Sequence, residues 1–174
     1  MPKWMSRALL IGVFSLSLVA GCQPPPLLSY PYFWEYTKTR PNDSDLVGRY
    51  QILKARLPNE LSRSVRERSS EMNLEADHVV VFNDVPEFDD AGQKLVCRLS
   101  GTANWELDNH VGEGWSILFR DYRPKTKPVA RECDLQNVMW DGTFILSGHA
   151  PYRLYSVVGD PDSGTGIEYA RVGP

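Results

Sequence analysis

The side chains of this 174-residue chain that could do covalent or metal chemistry are few, with three cysteines and three histidines in all. Cys97 and Cys133 are spaced to bridge in an oxidising compartment. They would close 133 − 97 = 36 positions of chain, for which loop entropy gives roughly 3 to 4 kcal/mol. Two buried thiols are the alternative, as is a redox pair without the close Cys-x-x-Cys spacing that redox work prefers. None of His78, His110 and His149 has a second histidine or a cysteine within five residues, so no recognised zinc spacing is present. Ser100-Gly101 and Ser147-Gly148-His149 suggest acyl transfer, but the chain has no Gly-x-Ser-x-Gly elbow to present a strained nucleophile. Asp160-Pro161-Asp162-Ser163-Gly164 resembles a calcium loop only superficially. It lacks the closing bidentate glutamate at the required offset, and its Pro and Gly suit a tight hairpin. Glu87, Asp89 and Asp90 read as a solvated acidic loop. No catalytic residue, metal ligand or cofactor is assigned, and the expectation is a non-enzyme.

The remaining cysteine, Cys22, has a different setting. Lys3 and Arg7 precede an apolar run from Ala8 to Ala20, and Leu18-Val19-Ala20-Gly21 leads directly into Cys22. Charge, a short apolar core, small residues and cysteine in that order resemble a bacterial lipoprotein signal ending in a lipobox. The resemblance implies cleavage before Cys22 and a diacylglycerol on its sulfur, with palmitate or a similar acyl group on the new amino terminus. Two or more chains suffice for firm attachment. The partner so implied is a membrane, and the location is the cell envelope. Gln23, in place of the Asp that retains such proteins in the inner membrane, favours the outer membrane if the host has one.

Three segments follow: residues 1–21 as signal, 22–42 as a tether and 43–174 as a single domain. Removing residues 1–21 from 174 leaves 153 residues and takes away Lys3 and Arg7 but no acid, so 17 cations face 22 acids. That acidic balance argues against nucleic acid as a partner. Pro24 to Pro26 make the start of the tether extended. Tyr30-Pro31-Tyr32-Phe33-Trp34-Glu35-Tyr36 is either an interfacial aromatic belt near the anchor or an arm folded over an apolar end of the domain.

The domain reads as mainly β. Leu46 to Leu53 suggests a first strand, and a helix follows from Pro58 with Leu61, Val65 and Met72 near helical spacing. The period then changes to two. Cys97, Leu99, Gly101, Ala103, Trp105 and Leu107 alternate with polar residues over one long half-buried strand, with Gly101 where the strand bends or meets another backbone. Further strands are expected at 78–82, 115–122, 132–138, 143–146, 152–158 and 167–172, separated by turn residues. Eight strands in sequence form an antiparallel meander with one α-helix between the first two, closing as a small barrel.

That arrangement is similar to lipocalins. Gly48-Arg49-Tyr50 stands where they carry Gly-x-Trp, with Tyr in place of Trp. The ending around Gly159-Asp160-Pro161-Asp162 resembles a group of small lipoproteins with no assigned activity. The aromatic content suggests a small hydrophobic or amphipathic ligand in the barrel, with Trp105, Trp115, Tyr50 and Phe119 among the rings that could line its cavity. The same rings could instead fill the barrel, leaving an envelope scaffold that binds another protein by its surface or its aromatic arm. An inward arginine among Arg49, Arg98, Arg120 and Arg153 would mark an anionic ligand group, whereas cross-strand pairs on the outer face are the commoner arrangement.

Overall fold

The computed structural model describes residues 37–89, 91–109, 114–125, 142–160 and 163–173. The strand expected at 132–138, the signal, Cys22 and the aromatic arm lie outside the described residues. Among them, a one-turn helix α1 (Asp43–Leu46) precedes β1 (Gly48–Arg56), and α2 (Asn59–Arg66) follows it. Then come β2 (Glu71–Leu74), β3 (Val79–Phe88), β4 (Leu95–Asp108), β5 (Ser116–Pro124), β6 (Gly142–Ser147), β7 (Arg153–Val157) and β8 (Gly166–Val172). All neighbours pair antiparallel, and β8 returns to β1 to close the barrel. Closure removes the open edges that an eight-strand meander would otherwise expose.

Two expectations need correction. Met72 belongs to β2, where it faces Tyr50 of β1 and Phe82 of β3, and α2 stops at Arg66. Leu46 and Val47 are not strand. Leu46 ends α1, a second helix beside the single one expected, and is fully buried.

Period-two alternation sorts the side chains. Tyr50, Met72, Leu74, Val80, Phe82, Leu99, Trp105, Ile117, Phe119, Phe144, Leu146, Leu154, Ile167 and Tyr169 form one interior cluster, each at most 3% exposed. The outer wall is polar. Arg49 pairs with Glu71 at 3.6 Å, Arg120 with Glu106 at 2.6 Å and Arg153 with Glu168 at 2.7 Å. Leu53 is the one large apolar side chain exposed among the described residues. A barrel that crosses a membrane carries its apolar band outside, and this one carries it inside. No helix among the described residues is long and apolar enough to cross a membrane.

Local devices bend the strands around the closure. The β3–β4 register slips between Phe82 and Val85, at Asp84 with φ 56°, and the β4–β5 register slips between Thr102 and Asn104, opposite Asp121 with φ 54°. Both are bulges that increase local twist. Each is tied down, since the Asp84 N–H donates to Ser100 Oγ and Asn104 Nδ2 donates to Asp121 Oδ2, both at 3.0 Å. At Gly101 the β5 backbone comes so close that a Cβ would collide with the Arg123 carbonyl oxygen.

Candidate functional site

Four residues were expected to line a ligand cavity. The structure brings three of them together: Tyr50, Trp105 and Phe119 have 0%, 1% and 0% of their surface exposed. A side chain without accessible surface borders no water-sized void, so these rings face other rings rather than open space. Phe82 meets Phe119 edge-on at 5.2 Å, Phe119 meets Phe144 at 5.1 Å, and Phe144 meets Tyr169 at 5.6 Å. The fourth residue, Trp115, stands apart. It lies just before β5, half-buried, with the Arg40 guanidinium 5.7 Å from its ring centre and its backbone N–H donating to the Thr37 carbonyl.

Both ends of the barrel are closed. At one end the Tyr50 hydroxyl donates to the Leu46 carbonyl at 2.8 Å, drawing α1 over the interior. Trp105 Nε1 donates to the Glu75 carbonyl at 3.1 Å, and His78 stacks flat on the same indole at 4.4 Å. His78 has φ 64°, Nδ1 3.2 Å from the Trp105 carbonyl and Nε2 3.1 Å from Asp43 Oδ2, so it joins β4 to α1. At the other end Val65 of α2 is fully buried in the core. There Arg98, tied to Asp84 at 3.1 Å, also donates to the Ser64 carbonyl at 2.7 Å. The β3–β4 and β7–β8 hairpins, on opposite sides of the barrel, meet backbone to backbone. A Cβ on Gly92 would strike the Gly159 nitrogen, and both glycines have positive φ, 66° and 71°.

Burial of the interior tyrosines shows in their ionisation. Burial pushes the Tyr50 hydroxyl up to about 12, against a smaller opposing pull from Arg171. It also raises Tyr169, Tyr122 and Tyr155, in each case chiefly by removing water from the phenolate.

The other candidates are engaged in the framework. Ser100 Oγ accepts from Asp84 and Ser147 Oγ accepts from the Arg153 N–H, so both hydroxyls serve backbone. Among the described residues no three His, Cys, Asp or Glu side chains are grouped to hold a metal ion. Asp160 and Ser163 form a turn, Ser163 donating to the Asp160 carbonyl through both N–H and Oγ. His110 lies outside the described residues, and His149 is exposed in the β6–β7 turn. Cys97 pairs with Glu87 across β3–β4 and is half-buried, while Cys133 lies outside the described residues. Of the strand arginines, Arg49, Arg120 and Arg153 are the outer-wall pairs, and Arg98 is held by α2 and Asp84.

One residue that sequence reasoning passed over does point inward. Arg171 pairs with the inward Tyr50 in the β1–β8 ladder, its side chain fills the space above Gly48, and its Nε is buried without a hydrogen-bond partner. The signal was available, because Ile167, Tyr169 and Arg171 share one phase of β8. Elsewhere, the β6–β7 turn (residues 147–153) and the arm 37–39 line a groove of about 890 Å³.

Comparison with protein-family models, with curated proteins and with solved structures finds no match to this chain.

Proposed function

We propose that this chain is a non-enzymatic accessory lipoprotein of the cell envelope, a solid lipocalin-like barrel held at a membrane by lipid on Cys22. Its contacts with a partner protein are made from outside the barrel. The observation that carries this reading is the packed interior closed at both ends. An apolar ligand of any size would have to displace Trp105, Tyr50 and Phe119, none of which exposes more than 1% of its surface. The lipid anchor is supported by the ordered charge, apolar run, small residues and Cys22. The acidic mature balance supports a role without nucleic acid. A Cys97–Cys133 bridge is supported by the even pair left in an exported domain and by the course of β5. Lys125 N–H donates to the Ser100 carbonyl, so the chain leading to Cys133 leaves β5 three residues along β4 from Cys97.

Two measurements test the proposal. Labelled palmitate should enter the wild-type chain and not Cys22→Ser, and a Ser variant that still labels would remove the anchor. Titration with an apolar fluorophore or a fatty acid should give no saturable change in tryptophan emission. Stoichiometric binding that is lost in Trp105→Ala would replace the solid barrel by a ligand carrier.

A further inference from the structure

The end of β1 and the helix that folds back across it, residues 53–68, are charged against the rest of the chain. This stretch holds Lys54, Arg56, Arg63, Arg66 and Arg68 against Glu60 and Glu67, an excess of 5 − 2 = 3 positive charges. The whole chain stands at −3, so the residues outside the stretch stand at −3 − 3 = −6. All five cations are exposed. The fold draws them together, because Ser62 Oγ donates to the Ala55 carbonyl at 3.3 Å and so lays α2 across the strand end that carries Lys54 and Arg56. Their pairing differs from that of the outer wall, where Arg49, Arg120 and Arg153 each meet a carboxylate within 3.6 Å. Among the described residues the side chains of Lys54 and Arg63 make no ion pair or hydrogen bond, and that of Arg66 donates only to oxygens of Ser62 in its own helix. Arg68 lies 3.8 Å from Asp84, a carboxylate that Arg98 already holds at 3.1 Å. Like charges gathered in this way repel one another, and an acidic partner would relieve that repulsion.

The same corner carries Leu53, 54% exposed and the one large apolar side chain on the described surface. It falls where the β1–β8 register slips between Ile52 and Lys54, so a bulge turns it outward beside the cations. Four of the five cations are arginines, the residue that is enriched at protein interfaces and grips carboxylates in a two-pronged fork. We propose that this corner is the docking surface for the partner protein, and that it takes an acidic segment, with carboxylates on the cations and an apolar side chain against Leu53. The inference deepens the accessory-lipoprotein reading and rests on it. Position favours a protein over the anchoring membrane. Thr37, where the tether joins the domain, accepts the Trp115 backbone N–H at the α1 end, whereas the corner lies at the α2 end. A barrel tethered at its α1 end turns this corner away from the lipid.

The test is made in cells carrying the full-length chain, with photoreactive p-benzoylphenylalanine in place of Leu53 at the corner or of Asn104 on the outer face of β4. Irradiation should join the Leu53 position to one protein, through a segment rich in Asp and Glu. Lys54→Glu and Arg63→Glu together should lower the yield of that adduct about tenfold, in line with the coupling of close charge pairs across an interface. Lys38→Glu, the same change at the α1 end, should leave it as it was. Replacing acids of the joined segment by lysine should restore the adduct with the doubly reversed chain. Lys54 and Arg63 are exposed, so the variant should unfold as wild type does. Protein adducts at Asn104 with none at Leu53 would overturn the corner and leave the accessory reading standing. No protein adduct at either position would overturn both. A lipid or glycan adduct at Leu53 would replace the protein partner by a membrane or polymer surface, and a protein adduct indifferent to the charge reversal would overturn the acidic segment.

Discussion

Trp105 carries two jobs in one side chain. Its ring fills the interior with 1% exposure, while its N–H and its stacked partner His78 fasten the strand end to Glu75 and α1. Trp105→Ala should therefore cost about 3 to 5 kcal/mol, through the cavity it leaves and the Glu75 carbonyl it strands. Asn104→Ala, one residue away on the outer face, removes an exposed bond to Asp121 and should cost no more than about 0.5 kcal/mol. Denaturant unfolding with unchanged m-values would read both, and equal losses would refute the assigned phase of β4. That phase was legible from the sequence, because six apolar or small residues alternate without a break from Cys97 to Leu107. Trp115 was not legible in the same way. Ser116, Ile117, Leu118 and Phe119 are all buried, so neither face of β5 reads as the outer one, and nothing local says that Trp115 precedes the barrel wall.

At the scale of elements, strands long enough to alternate could be read and short or irregular ones could not. β2 has four residues, and its Met72 also falls on the helical stripe of Leu61 and Val65, so helix and strand were indistinguishable until tertiary pairing decided. The bulges at Asp84 and opposite Asp121 are set by ladder geometry rather than by residue type, since neither position carries the expected glycine. Gly101 is the exception, a position where the residue type does report a close approach. Gly101→Ala would push a methyl into the Arg123 carbonyl and should destabilise by about 1 to 3 kcal/mol, with the loss expressed as faster exchange of β5 amides. The exit of β5 beside Ser100 also makes the cysteines informative. Thiol titration of the denatured, lipidated protein should find no free thiol, and two reactive groups would separate Cys97 from Cys133.

For the whole molecule, closure of the sheet into a barrel was legible in eight sequential strands, whereas the hairpin contact across its end was not. Gly92 and Gly159 are 67 positions apart (159 − 92) and look like two unrelated hairpin glycines until their backbones touch. A barrel sealed in this way keeps its tyrosines neutral, which gives it a characteristic response to alkali. Tyr50 has an ordinary value of 10.0 when unfolded and is raised to about 12 when folded, with Tyr169, Tyr122 and Tyr155 raised as well. The folded state then holds more protons than the unfolded one above pH 10, so stability must fall as pH rises. It should be level below about pH 10, where both states are protonated, and decline between about pH 10 and 12. For Tyr50 alone the rise from 10.0 to about 12 corresponds to about 3 kcal/mol, reached only when the pH passes the folded value. Tyr50→Phe should flatten part of that decline, at a loss of about 1 kcal/mol near neutrality for its bond to the Leu46 carbonyl. Tyrosinate absorbance followed alongside circular dichroism checks the mechanism. The interior phenols should ionise together with loss of the fold, since only unfolding gives them water. Ionisation of every tyrosine near pH 10 with the barrel intact would mean that solvent already reaches the interior, and would reopen the barrel as a place for ligands.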